Sequence, residues 1–392
     1  MKILQINKFF YPRGGTETYL FGLIDLLEKN GHQTVVFSQA HSLNRRQPAK
    51  QYTISNLELS RFHWRSAGKV GRIFWSREAQ KIIKEIISRE KPDLVHIHNI
   101  YHQISPSILP VIKQAGIPIV MTVHDFKLVK HDYALRADQQ RRHKPLLFDW
   151  LLRLEFLLHR ALDVYAQNVD LFIAPSQFVK NRLVEKGYPE AKIAVVPHFV
   201  DNIEDNNINP KIENYILFLG RLDETKGADL LVAAIAKLKR HVRVKIAGSG
   251  PQYHLLKEQI ARLNLSDRIQ LLGKQNNEQI KGLIRKSLFV VFPSRVHETF
   301  GLSIVESQLG GKAVAAARVG ATPELITDNE TGILFKAGDS QALAQTIDFM
   351  LAHPERTALM GRKAKDLAQK RYSAETHYAK IISIYKQLTN EK

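Results

Sequence analysis

Cysteine is absent from the 392 residues, which excludes disulfides, a thiol nucleophile and cysteine-ligated zinc. Long apolar runs are absent too. No stretch approaches the ~18 apolar residues of a membrane span, and Met1-Lys2 leads straight into Ile3-Leu4-Gln5-Ile6 without the roughly 7–15-residue apolar core of a signal peptide. A cytosolic location is the expectation. Disorder is not indicated: 44% of residues are hydrophobic and 24% charged, an ordinary globular balance, and the length suits two domains.

Acidic residues are the scarcer charge. The net charge is +19, divided as +12 in residues 1–200 (29 basic, 17 acidic) and +7 in residues 201–392 (28 basic, 21 acidic). The densest basic part, residues 61–91, interleaves nine basic and three acidic residues with Phe62, Trp64, Phe74 and Trp75. Such a stretch reads as a solvated face or as contact with an anionic membrane surface. Nucleic acid is not an expected partner, because no nucleic-acid module accompanies the charge.

What the chain has in quantity is the sequence of strand, loop and helix. Residues 2–7 read as a buried strand, followed by a loop ending in Gly14-Gly15 and a helix over 16–29. Paired glycines let backbone N–H groups approach an anion, so this is a phosphate-site arrangement as well as a possible plain turn. A second strand follows at 34–38, residues 40–70 read as loop, and 72–89 read as an amphipathic helix. The strand at 94–98 puts His96 and His98 on one face, without a third metal ligand in evidence. His98, Asn99, Tyr101 and His102 lie at its carboxyl end and are candidates for acceptor contact. A further buried strand, 117–123, delivers His124-Asp125. The helix expected over 145–166 carries Leu147, Trp150, Leu151, Leu154, Leu157, Leu158 and Ala161 on one stripe, which reads as core packing or as a partner or membrane face.

Residues 201–214, DNIEDNNINPKIEN, have linker composition. Beyond them strands at 215–219, 242–247, 269–272, 288–292 and 313–317 begin a second series, and helical patterns from 340 to 385 close the chain. Gly220-Arg221 ends the first of these strands, and Lys226-Gly227 stands at the entrance of the next helix. Two cations beside one helix N-terminus suit a diphosphate. Gly248-Ser249-Gly250 also follows a strand. Lys274 and residues 275–277 follow another and are candidates for reading a base. Residues 294–311, SRVHETFGLSIVESQLGG, place Glu298 before a helix and Glu306 within it, where unpaired N–H groups and the positive end of the helix dipole favour a polar ligand.

ETFGLSIVE, with Glu298 and Glu306 at its ends, resembles the Glu-x7-Glu motif of retaining glycosyltransferases with the two-domain GT-B fold, particularly family 4. Gly14-Gly15-Thr16-Glu17, His124-Asp125, Gly220-Arg221 with Lys226-Gly227, and Gly248-Ser249-Gly250-Pro251 fall in the order that family uses. The resemblance implies an α/β chain of two doubly wound Rossmann-like domains facing across a cleft. They are an acceptor-side domain over 1–200, a nucleotide-sugar domain over 215–375, and a last helix, 376–392, crossing back to the first. It also implies transfer of a hexosyl unit from a UDP- or GDP-sugar, while the basic charge of the first half, with the aromatic residues of 61–91, leads to the expectation of a lipid-linked or polysaccharide acceptor in cell-surface glycan synthesis and of peripheral attachment to the inner face of the cytoplasmic membrane through 61–91 and the 145–166 helix. His124 then lies near the transferred sugar, Glu298 binds sugar hydroxyls and Glu306 the ribose. The backbone of Phe300, Gly301 and Leu302 contacts the donor, and that of Gly248, Ser249 and Gly250 approaches the nucleotide.

No Asp-x-Asp pair, by which many sugar transferases hold a divalent cation, occurs. Arg221, Lys226 and the N–H groups of Gly14 and Gly15 are therefore expected to stabilise the leaving diphosphate, with no metal and no other cofactor. The cysteine-rich insertion of some similar proteins is missing after His124. The alternative readings are a non-hydrolysing nucleotide-sugar epimerase and a catalytically dead binding component of a glycan-assembly complex.

Overall fold

The computed structural model describes residues 1–46, 50–56, 67–131, 133, 135, 146–200 and 212–390. Two compact units divide the chain, one holding Met1–Ala134, Arg142–His198 and Ala374–Lys392, the other Leu135–Arg141 and Phe199–Ser373.

In the first unit the elements run β1 Lys2–Ile6, α1 Gly15–Lys29, β2 Gln33–Gln39, β3 Lys50–Ile54, α2 Ala67–Phe74, α3 Arg77–Glu90, β4 Leu94–Ile97, α4 Ile108–Gln114, β5 Ile119–Thr122, α5 Leu146–Ala161, α6 Val164–Asn168, β6 Leu171–Ala174, α7 Gln177–Glu185 and β7 Ile193–Val195. The second unit contributes β8 Tyr215–Leu219, α8 Ala228–Ala236, β9 Arg243–Ala247, α9 Tyr253–Arg262, β10 Ile269–Gly273, α10 Asn277–Lys286, β11 Val290–Phe292, α11 Leu302–Leu309, β12 Val314–Ala317, α12 Thr322–Leu325, β13 Gly332–Phe335, α13 Ser340–Ala352 and α14 Pro354–Arg371. Helix α15, Ala374–Thr389, returns to the first unit.

Among the described residues every strand pairs in parallel, in the orders β3-β2-β1-β4-β5-β6-β7 and β10-β9-β8-β11-β12-β13. Parallel strands covered on both faces need apolar side chains on both, which is why β4, β5, β8 and β12 are buried throughout. In the second sheet Ile216 and Phe218 pack into one core, and Tyr215, Leu217 and Leu219 into another. Helix starts follow capping chemistry: Ser76 accepts from the Ala79 N–H, Ser176 from Val179, and Asn276 with Gln279 forms a capping box on α10.

Three sequence expectations are corrected. Residues 40–70 contain β3 and the start of α2 rather than loop alone; β3 is an edge strand pairing only with β2, so its alternation is weak. The helix expected over 145–166 breaks at Asp163, whose φ is +47°, into α5 and α6. The third concerns α5 itself. Trp150, Leu154, Leu157, Leu158 and Leu162 are exposed, so the stripe is not core packing. The face turned inward carries Leu152, Glu155 and His159. Glu155, fully buried, accepts from Lys127 Nζ at 2.7 Å and faces His102 at 3.3 Å. Residues 201–211 of the expected linker lie outside the described residues, as do 61–66 of the basic stretch.

Candidate active site

Strand order reverses between β1 and β4 in the first unit and between β8 and β11 in the second. In open α/β sheets, ligands bind outside the strand carboxyl ends at such a point. The predicted residues cluster there, within each unit.

In the second unit, β8 ends at Gly220-Arg221, and a short 3-10 turn, Glu224–Lys226, follows with the Asp223 carboxylate accepting from the Thr225 N–H. Arg221 is 61% exposed and lies 3.3 Å from Asp223. Lys226, reaching across from this turn, donates to Glu298 Oε1 at 2.7 Å, and Ser294 Oγ donates to the same oxygen at 2.7 Å. Glu298 Oε2 has no hydrogen bond or ion pair among the described residues. The carboxylate is thus held by one oxygen and offers the other. Arg295 secures the loop by a bidentate pair with Asp229, at 2.6 and 2.7 Å.

Gly320 is a residue that sequence reasoning missed. At φ +54° it packs so closely that a Cβ would lie 2.4 Å from the Glu298 carbonyl oxygen and 2.5 Å from its nitrogen. Only glycine lets this loop press on the Glu298 backbone. The Gly320 N–H also donates to His297 Nδ1 at 2.9 Å, and the Ala321 N–H to the Glu298 carbonyl at 3.0 Å.

Helix α11 begins at Gly301 with no side-chain cap, so its first N–H groups face outward from the end of the helix. Phe300 itself is buried, edge-on to Tyr372, and only its backbone remains for a ligand. Glu306, one turn in from that end and half-buried, has no hydrogen bond or ion pair among the described residues, and burial pushes its carboxyl pKa up. Such a carboxyl gains by accepting from ligand hydroxyls.

Gly248 and Gly250 serve packing first. A Cβ on either would sit 1.8 Å from the Gly220 oxygen or 2.3 Å from the Leu222 oxygen. With the Leu222 N–H donating to the Ser249 carbonyl at 3.0 Å, they bring the 248–250 loop against the Arg221 turn. Asn276, a candidate base reader, is occupied in capping α10.

In the first unit, Gly14 and Gly15 begin α1 without a side-chain cap, beside the end of β1. His124 follows β5. Its Nε2 lies 2.9 Å from His98 Nδ1, and His98 Nε2 lies 2.8 Å from Gln5 Oε1. The His124 ring stacks on His198 at 5.0 Å and meets Tyr19 edge-on at 5.2 Å. His96 bonds Tyr385 and Thr122, at 2.6 and 2.7 Å, while His377 of α15 bonds the Tyr19 hydroxyl at 3.0 Å and the Pro197 carbonyl at 2.8 Å. Burial holds His96, His98, His124 and His198 neutral, with pKa values well below the usual imidazole value, and His377 is lowered to about 4. Both ring nitrogens of His96 and of His98 are committed to these bonds, which leaves no ligand pair for a metal. Among the described residues no group of three or more His, Cys, Asp or Glu could hold one. His98, Asn99, Tyr101 and His102, the residues expected to contact the acceptor, are all buried, and His98 is engaged by Gln5 and His124. The alternation in 94–98 signalled part of this network; nothing near position 377 signalled the rest.

Residues 13–202 match the family model described as Glycosyltransferase Family 4, and residues 200–367 match that described as Glycosyl transferases group 1. The chain belongs to the GT-B glycosyltransferases of family 4. Its relatives include a phosphatidylinositol N-acetylglucosaminyltransferase component of Arabidopsis thaliana, 26% identical over 84% of this chain and 70% of that protein. D-inositol 3-phosphate glycosyltransferase of Segniliparus rotundus is 26% identical, covering 89% and 79%. The glycosyltransferase also shares its fold with Anabaena HepE, solved in complex with UDP, at TM-score 0.75 and 21% identity over 99% of this chain and all of that one. Sucrose-phosphate synthase of Thermosynechococcus elongatus gives 0.79 at 20% identity, with both chains fully covered.

Proposed function

We propose that this glycosyltransferase moves a hexosyl unit from a UDP- or GDP-sugar to a lipid-linked or polysaccharide acceptor, with retention at the anomeric carbon and without a metal ion. The observation that carries the reading is the carboxylate pair of the second unit. Among the described residues, Glu298 is clamped through Oε1 by Lys226 and Ser294 and free at Oε2, and Glu306 stands without a partner beside the uncapped start of α11. Glu298 then orients sugar hydroxyls, and Glu306 accepts from the ribose. Charge that grows on the departing diphosphate meets Arg221, Lys226 and helix N–H groups, each such donor contributing ~10²–10³ in rate. On the acceptor side His124 is kept neutral by burial and held in orientation by its contact with His98, which suits a hydrogen-bonding role toward the transferred sugar. The Arabidopsis relative, whose name specifies phosphatidylinositol, supports a lipid-linked acceptor, and HepE with UDP supports uridine as the first base to try.

The test is a melting-temperature screen against UDP, GDP and their sugars, followed by NMR assignment of the anomeric configuration of the transferred product. Stabilisation by one nucleoside diphosphate and an unchanged anomeric configuration are expected. No shift with any of them, an inverted product, or an epimerised donor formed without acceptor overturns the reading.

A further inference from the structure

Helix α5 packs on the protein through a narrow face of Leu152, Glu155 and His159 and leaves its apolar stripe in water. Trp150 and Leu157 are each 60% exposed, with Leu154 and Leu158 also exposed, and Leu162, one residue past the helix end with its N–H still donating to the Leu158 carbonyl, is 51% exposed. At 100° per residue these five side chains form one continuous stripe. The inward face holds the Glu155–Lys127 pair and His159, whose Nε2 lies 2.9 Å from the Phe74 carbonyl. A helix selected only for packing on this unit would turn the leucines inward. The outward stripe therefore has a use outside the chain.

We propose that α5 seats the enzyme on an anionic phospholipid bilayer, with the Trp150–Leu162 stripe in the interface. Charge selects this occupant. Arg153, paired with Asp149 at 2.8 Å, and Arg160 border the stripe along one side, and Arg160 donates to the carbonyl of Lys186, another exposed cation, so the border carries a net positive charge. A second copy of a chain with net charge +19 would bring like charges together at this face, whereas acidic headgroups neutralise them. The helix lies along the surface and does not cross: at 16 residues it spans about 24 Å, short of the ~30 Å hydrocarbon core, and Asp149, Arg153, Glu155 and Arg160 interrupt it. Seating by α5 deepens the lipid-linked acceptor reading above, yet the binding itself does not require it.

The experiment is flotation of the full chain with vesicles of phosphatidylcholine alone and of phosphatidylcholine mixed with phosphatidylglycerol. Wild type is compared with Trp150→Ser/Leu157→Ser and with Arg153→Glu/Arg160→Glu. These positions are exposed, and the UDP- or GDP-dependent melting shift of each variant reports whether fold and donor site survive. Wild type is expected to float with the acidic vesicles, and each double variant to bind them at least about tenfold more weakly with its nucleotide shift intact. Absence of wild-type flotation overturns the inference, as does equal binding by all three proteins. So does a vesicle-independent dimer that Trp150→Ser/Leu157→Ser dissolves. Failure of the nucleotide shift in wild type, by contrast, strikes the transferase reading and leaves the bilayer result standing.

Discussion

Replacing Lys226 by methionine separates what the Lys226–Glu298 contact does for stability from what it does for catalysis. The 2.7 Å ion pair joins a side chain 30% exposed to one 14% exposed. Exposed pairs contribute ~0.2–1 kcal/mol, and partial burial places this one near the upper end. In a unit of this size ~1 kcal/mol corresponds to a melting shift of roughly 2–4 °C. Loss of a preorganised cation at a site of growing charge costs far more in rate, ~10²–10³, equivalent to ~2.7–4 kcal/mol of barrier. Glu298 in the variant keeps the Ser294 hydrogen bond and so remains near its place.

The assay is kcat and KM for the donor, with Tm measured on the same preparations. A loss of ~10²–10³ in kcat with a Tm drop of no more than ~4 °C is expected. Because Lys226 and Glu298 touch, Lys226→Met/Glu298→Gln should lose less than the product of the single losses. A rate within about tenfold of wild type, or independent effects that multiply, would refute the assignment of Lys226 to the growing charge.

Gly320→Ala tests the support beneath Glu298: a left-handed alanine costs ~1–2 kcal/mol, and its Cβ must displace the Glu298 backbone, so kcat should fall with Tm. Unchanged donor kinetics would show that Gly320 does not position Glu298. The buried histidines make stability pH-dependent. The folded pKa of His377, about 4, lies below its ordinary 6.5, so the unfolded chain binds more protons between these values. Stability is then full above ~6.5 and lost as pH falls toward ~4, by about 3 kcal/mol from this residue alone. Urea midpoints at pH 7 and pH 5 should differ in that sense, and His377→Phe should reduce the difference; a flat profile refutes it. Finally, turnover should survive EDTA, as the Arg221 and Lys226 assignment requires; loss of activity restored by magnesium or manganese would refute metal independence.

The candidate site of the second unit was legible because its parts are local. Each of β8 and β11 is an apolar run that ends in a loop, so Arg221, Lys226 and Glu298 could be placed at strand ends, and the 302–309 periodicity put Glu306 on a helix. Their direct contact was not legible: Lys226 and Glu298 meet because β8 and β11, distant in sequence, are neighbours in the sheet. The same limit applies to Gly320, whose loop follows β12, and to His377, which meets Tyr19 across 358 positions. Edge strand β3 was hard to read because its alternation, Gln51-Tyr52-Thr53-Ile54, covers only four residues within a polar and basic stretch.

Helix α5 shows a different limit. Its stripe was visible, but periodicity reports that a helix has two faces and not which one turns inward. The usual inference, apolar side in, assumes that nothing inside the unit can satisfy the polar side. Here Lys127 and His102, from two other loops, supply Glu155 with a cation and a ring nitrogen inside the unit. A buried charge needs such partners, and their presence allows the side carrying Glu155 and His159, with Leu152, to be the inner one. Removing the cation by Lys127→Met would leave the buried Glu155 carboxylate with the His102 ring but no lysine partner, and a loss of ~3–5 kcal/mol in urea unfolding is expected if this buried pair, rather than the exposed leucines, anchors α5; an unchanged midpoint would refute that role.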